Sequence, residues 1–141
     1  MIIARRPARV RIAYNPVPYE EAMTLKIYHN PRCSKSRKTL ELLTESGVAH
    51  SVVRYLENTP DTATICALAE SLDLSVADLL RRGESEFKAA TDLPDLTDNK
   101  ALAAWLTEHP IVLERPIVVD ETTGKAIIGR PPENVLSLVS P

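Results

Sequence analysis

The sequence predicts an α/β fold in one domain, built as a βαβ opening, a stretch of short helices and a ββα close. Three observations predict it. Leu25-Lys26-Ile27-Tyr28 alternates as a strand and runs through a turn into a helix-period segment. Apolar residues between Asp61 and His109 recur at three- and four-residue spacing. Near the C-terminus two β-branched runs flank a short turn.

In chain order, residues 1–23 stand apart. Arg5, Arg6, Arg9 and Arg11 crowd together, Pro7, Pro16 and Pro18 interrupt any periodicity, and no apolar face emerges. We expect a disordered or non-native N-terminal extension here, with residues 24–141 as the folded domain. A mis-started or vector-derived lead-in ahead of an initiator at Met23 is preferred over a basic arm for an acidic partner, because the first strand needs nothing upstream. Glu20 and Glu21 argue against a transit peptide.

After the first strand, His29-Asn30-Pro31-Arg32-Cys33 makes a turn. Ser34 is expected to N-cap a helix that runs to about Ser46, buries Leu40 and Leu43, and stops at Gly47. Val52-Val53-Arg54-Tyr55-Leu56 reads as a second strand, parallel to the first and reached by a right-handed crossover. The helical stretch places Ile65, Leu68, Ala69 and Leu72, then Val76, Leu79 and Leu80, then Leu102, Trp105 and Leu106 on several short helices. Ile117-Val118-Val119 and Ala126-Ile127-Ile128, joined by a turn at Glu121 to Gly124, form an antiparallel hairpin. Pro131 or Pro132 opens a last helix carrying Val135, Leu136 and Leu138, since a missing N–H is harmless in a first turn.

Composition works by exclusion. A chain of 141 residues matches one domain of ~100–150 residues. Hydrophobic residues at 44% and charged residues at 26% are enough to fold it. Aromatics at 4% and a formal charge of −2 supply neither base-stacking platforms nor the positive field of a nucleic-acid binder. No apolar stretch reaches the ~18–20 residues that span a bilayer, and no hydrophobic signal segment opens the chain. We expect a cytoplasmic protein without nucleic-acid or membrane partners. In that reducing compartment Cys33 and Cys66 are not expected to form a structural disulfide.

Cys33 follows a strand and precedes a helix, where unpaired N–H groups and the positive end of the helix dipole favour a thiolate. Arg32, Lys35 and Arg37 add local positive charge. A lone cysteine is most often a small buried hydrophobe, but this setting makes Cys33 the candidate nucleophile. Ser36 takes the place of a second cysteine in a Cys-x-x-Cys pair, so the site is monothiol and an external thiol must resolve it. His29 is placed either to support the thiolate or to make a structural hydrogen bond. The candidate catalytic set is therefore Cys33, His29, Ser36 and Arg37. Cys66, among Ile65, Ala67 and Leu68 and away from basic residues, is expected to be core.

Tyr28-His29-Asn30-Pro31-Arg32-Cys33-Ser34-Lys35-Ser36-Arg37, then Tyr55-Leu56-Glu57, open a longer pattern. Leu79-Leu80-Arg81-Arg82, His109-Pro110-Ile111, Glu114-Arg115-Pro116-Ile117-Val118-Val119 and Ile128-Gly129-Arg130-Pro131-Pro132 continue it. In order and approximate spacing these segments resemble the glutaredoxin-dependent arsenate reductase family. The resemblance implies a thioredoxin-like mixed sheet with a helical insertion and Cys33 as nucleophile. It also implies an oxyanion site formed by Arg81, Arg115 and Arg130, and Pro116 as the cis-proline facing the active cysteine. Guanidinium groups suit that task because they hold tetrahedral oxyanions through paired N–H bonds and keep their charge.

The implied reaction is reduction of arsenate to arsenite: the thiolate attacks arsenate, glutathione reduces the adduct, and glutaredoxin clears the mixed disulfide. No tightly bound cofactor or metal is expected, with glutathione as reducing co-substrate. One departure is Ser34-Lys35, where the best-known members carry Gly-Thr after the cysteine. Two other readings stay open: a glutathione-linked thiol oxidoreductase on another substrate, and a cysteine-containing transcription-regulator relative that binds RNA polymerase.

Overall fold

The computed structural model describes residues 24–139, so the extension expected over residues 1–23 lies outside the described residues. The chain runs β1 (Leu25–His29), α1 (Ser34–Ser46), β2 (His50–Arg54), α2 (Thr62–Ser71), a 3-10 turn (Val76–Leu79) and α3 (Ser85–Lys88). It continues with α4 (Asn99–Glu108), a 3-10 turn (Pro110–Val112), β3 (Ile117–Asp120), β4 (Ala126–Ile128), a 3-10 turn (Pro132–Val135) and α5 (Leu136–Val139).

The strands form one mixed sheet in the order β2-β1-β3-β4. β1 pairs parallel with β2 and antiparallel with β3, which pairs antiparallel with β4. The register sets Ile27 opposite Val118 and Tyr28 opposite Ile117, and alternation then sends each pair to its own face. Leu25, Ile27 and Val118 pack with Leu43 of α1 and with Val135. Tyr28, Ile117 and Val119 pack with Ile65 and Leu68 of α2 and with Leu102, Trp105 and Leu106 of α4. Each fully buried Leu or Ile stabilises the fold by roughly 1.5–3 kcal/mol, so both faces hold the sheet. α1 covers one side and the helical insertion the other.

Local chemistry sets the ends of these elements. Gly47 closes α1 at φ 78, a left-handed conformation that glycine adopts without a Cβ clash. Asp61 Oδ1 accepts the Thr64 N–H at 2.8 Å and Asp98 Oδ1 accepts the Ala101 N–H at 3.1 Å, so α2 and α4 both start on aspartate caps.

Three boundaries differ from the sequence expectation. Cys33 rather than Ser34 is the N-cap of α1, in extended conformation at φ −94 and ψ 122. β2 stops at Arg54 because the Glu57 and Asn58 N–H groups both bond the Arg54 carbonyl, at 2.9 and 2.8 Å. That turn carries Tyr55 into the core, where it is fully buried. The last helix begins as a 3-10 turn with Pro132 at its first position and becomes α-helical only at Leu136. Among the described residues no helix is long and apolar enough to cross a membrane.

Two long-range features assemble the site. A bridge between Leu80 and Leu113 is flanked by Arg81 N–H to Val112 O and Glu114 N–H to Leu79 O, each 2.7 Å. It brings the chain after the first 3-10 turn alongside the approach to β3. At the exit of β4 the Gly129 N–H bonds the Pro116 carbonyl at 2.9 Å, which aligns Arg130 with Arg115. The Arg115–Pro116 and Arg130–Pro131 peptide bonds are cis.

Candidate active site

As N-cap of α1, Cys33 sits where a capping oxygen normally would, within reach of the Lys35 and Ser36 N–H groups that act on its thiol. The turn before it is tied down from within. Cys33 N–H bonds Asn30 O at 3.0 Å, and Arg32 N–H bonds Asn30 Oδ1 at 2.9 Å. Burial pushes the thiol pKa up, but the Ser36 and Lys35 N–H groups and the Arg130 and Arg115 guanidinium groups outweigh it and hold it below its ordinary value. The thiolate is the form these donors favour.

Ser36 is fully buried beneath this turn and His29 and Asn30 nearly so. Ser36 Oγ lies 2.7 Å from His29 Nδ1 and accepts the Asn30 N–H at 3.0 Å. Burial first, then the positive charges of Arg54 and Arg37, lowers the His29 pKa. A neutral ring accepting the Ser36 proton at Nδ1 completes that network. Arg37 Nη1 donates to Pro31 O at 3.0 Å across the outside of the turn.

The arginines converge from three separate segments. Arg130 Nη1 lies 3.7 Å from Cys33 Sγ and donates to Arg115 O at 3.2 Å. Arg115 is buried, and its Nη1 donates to the carbonyls of Ile111 and Leu113 at 2.8 and 3.3 Å. Two carboxylates knit the cluster. Glu84 Oε2 accepts from Arg81 Nε at 3.4 Å and Arg115 Nη2 at 3.1 Å. Glu114 Oε1 accepts from Arg81 Nη1 at 2.7 Å and from the Arg115 N–H at 3.1 Å, with Arg130 Nε 3.9 Å away. Such a cluster can hold a multivalent oxyanion beside a nucleophilic sulfur.

Every candidate from the sequence therefore lies in or beside one region, but their contacts differ. Arg81, Arg115 and Arg130 share the two carboxylates, and Arg130 reaches the sulfur. His29 and Ser36 contact each other and the turn, and neither is among the groups that tune the thiol through its side chain. Arg32 and Lys35 are exposed, and the cations that lower the thiol pKa are Arg130 and Arg115 instead. The helix end and the arginines consequently act on the sulfur together, because Arg130 serves both. Pro116 precedes β3 and contacts the Gly129 turn.

Glu84 and Glu114 went unassigned in the sequence reading, although Glu84 stands three residues after Arg81 and Glu114 directly before Arg115, spacings that charge patterning can flag. Cys66 is half-buried rather than enclosed, and its Sγ lies 3.9 Å from Asn99 O. It lines a cavity of about 530 Å³ with Leu74, Asn99 and Lys100. That cavity is away from Cys33, and it offers a thiol only one basic neighbour. The chemistry concentrates at the arginine cluster.

The family model described as "ArsC family" matches residues 28–138. The chain is 47% identical to the uncharacterised protein YfgD of Escherichia coli over 116 residues, covering 82% of this chain and 96% of that one. It is 44% identical to an arsenate reductase of Neisseria meningitidis, covering 79% and 94%. A solved structure titled arsenate reductase from Vibrio cholerae superposes with TM-score 0.71 at 43% identity, covering 83% of this chain and 98% of that one. The mixed sheet and its helical insertion are those of a thioredoxin-like fold.

Proposed function

We propose, from the premise that this chain belongs to the ArsC family of arsenate reductases, that it reduces arsenate to arsenite with Cys33 as the sole nucleophile and glutathione and glutaredoxin as the electron source. The observation that carries the reading is the Arg130 guanidinium 3.7 Å from Cys33 Sγ at the N-terminus of α1. A thiolate and a bound oxyanion repel each other, and only a cation shared between them brings both to bonding distance.

In this reading Arg81, Arg115 and Arg130 bind arsenate, and the Cys33 thiolate attacks arsenic while one arsenate oxygen leaves as water. Glutathione then attacks the adduct. Two electrons pass to arsenic, which departs as arsenite, and the two thiols are left as a Cys33–glutathione disulfide. A glutaredoxin thiol reduces that disulfide and restores Cys33. Ser36 stands where an internal resolving cysteine would stand, which supports an external thiol. His29, Ser36 and Arg37 are positioning residues that fix the turn, and Pro116 supports Arg115. No bound cofactor or metal enters any step, and a cytoplasmic setting supplies both thiol donors.

A coupled assay with arsenate, glutathione, glutaredoxin and NADPH tests this. NADPH oxidation should require every component, vanish in Cys33→Ser and persist in Cys66→Ser. Turnover with thioredoxin in place of glutathione and glutaredoxin, together with loss in Cys66→Ser, would replace the monothiol route by an internal disulfide. A Cys33 that accepts glutathione but never turns over arsenate would move the reading to another thiol substrate.

A further inference from the structure

Among the described residues two buried side-chain polar atoms have no hydrogen-bond partner: Tyr55 Oη and Arg115 Nε. Leaving a buried donor unmade costs on the order of 1–3 kcal/mol, so such atoms are rare and call for a reason. These two are neighbours in one site. The Arg115 charge acts on the Tyr55 phenol and on the Cys33 thiol, and the phenol is within electrostatic reach of Cys33 and Arg81. Asn30 comes near the phenol without meeting hydrogen-bond geometry, and its Oδ1 already accepts from Arg32 N–H.

Both orphaned atoms are donors. A guanidinium Nε–H can only donate. Burial pushes the Tyr55 pKa up to about 12, despite the opposing charge of Arg115, so the phenol keeps its proton at every pH where the protein works. A turn rather than packing alone brings it there: β2 ends at Arg54, and the turn that follows delivers Tyr55, fully buried, to within electrostatic reach of Arg115 and Arg81. Two unmet donors beside three guanidinium groups and a thiol lack one thing, an acceptor with several oxygens.

We propose that Tyr55 is a further substrate-contacting residue of this site, its Oη–H donating beside Arg115 Nε–H to a tetrahedral oxyanion bound at Cys33. This rests on the oxyanion reading above. The phenol adds a neutral donor beside the arginines, so it orients the anion without adding charge that would have to be offset. It also gives the turn after β2 a task in the site, which the sequence reading confined to His29, the start of α1, the three arginines and Pro116.

The test is Tyr55→Phe, which removes only the hydroxyl. Protection of Cys33 from iodoacetamide is measured at neutral pH with inorganic arsenate, phosphate and sulfate. The concentration giving half-protection should rise roughly ten- to a hundredfold, the range for losing one hydrogen bond to a charged acceptor. The alkylation midpoint and the thermal midpoint should not fall, since an unpaired hydroxyl has been deleted rather than a contact. Equal half-protection in parent and variant overturns the proposal. Should Tyr55→Phe fail to fold, 13Cζ-tyrosine NMR of the parent decides: one buried tyrosine signal must move on adding phosphate, and an unmoved spectrum overturns it. A parent that no oxyanion protects refutes both this proposal and the oxyanion site. A parent protected by oxyanions but unable to reduce arsenate refutes only the reductase reading and leaves the contact of Tyr55 to be judged by the half-protection ratio.

Discussion

In the proposed reaction Cys33 sets the chemistry because several weak donors agree on one atom. Backbone N–H groups of Lys35 and Ser36 come from the helix end, and Arg130 and Arg115 come from the far end of the chain. Free cysteine titrates near pKa ~8.5, and the Cys33 value lies below its ordinary one, so alkylation of Cys33 should have a midpoint below that of a free thiol. Arg130→Ala should raise this midpoint, because one of the opposite charges that favour the thiolate is removed, while Arg82→Ala, on an exposed arginine over the Phe87 ring, should not move it. The same shift has a consequence for stability. A group whose folded pKa is depressed contributes stability that is present above its unfolded pKa and lost as pH falls through the folded one. Chemical denaturation of the parent against Cys33→Ser should therefore show a difference that is full above pH ~8.5 and fades on acidification. A difference that grows toward acid would mean that the thiolate is not the favoured form.

At the scale of elements, the site depends on how closely the exit of β4 approaches α1. A Cβ built on Gly129 would meet the Thr39 side chain and stand 2.7 Å from Pro116 Cγ. Thr39 is fully buried and its hydroxyl donates to Lys35 O at 2.8 Å, and the proline ring is rigid, so neither neighbour can step aside. Gly129→Ala should cost about 1–3 kcal/mol, as overpacking of a close contact does, and should also slow turnover because Arg130 is the next residue. Gly83→Ala is the control, since nothing stands within 4 Å of its added Cβ; equal thermal midpoints for the two variants would remove the close approach from the account. The elements themselves were readable to different degrees. α1 was legible because its start and its Gly47 stop both carry local signals. The end of β2 was not, since Tyr55 and Leu56 continue the strand-like run past Arg54 while a turn closing on Arg54 decides the boundary. The 3-10 turns at Val76–Leu79 and Pro110–Val112 were invisible, because over three or four residues their apolar spacing matches an α-helix.

Across the whole molecule, the site is a product of topology. Arg130 and Cys33 are separated by 97 positions yet share a contact, and no periodicity in the chain announces it. Only the pattern of motifs in order pointed there, and it named the arginines without the carboxylates that hold them. Those carboxylates govern the charge balance. The three guanidinium groups exceed Glu84 and Glu114 by one positive charge, which the thiolate cancels, inside a chain whose formal charge is −2. In the proposed site an arriving oxyanion thus meets a neutral, ordered cradle and not a strongly positive one. Glu114→Gln isolates this design. The amide still accepts from Arg81 and from the Arg115 N–H, but one negative charge is gone, so the oxyanion should bind more tightly. Partial exposure screens the gain to several-fold in KM, well short of the value for a buried charge. The same change loosens Arg81 and Arg130, because hydrogen bonds to a charged acceptor are about twice as strong as neutral ones, and a loosened Arg130 no longer fixes the sulfur against the anion. Steady-state kinetics should accordingly show KM and kcat falling together, and the Cys33 alkylation midpoint should drop with the surplus positive charge. A raised KM with unchanged kcat would assign Glu114 to direct anion binding and refute its role as the group that holds the arginines.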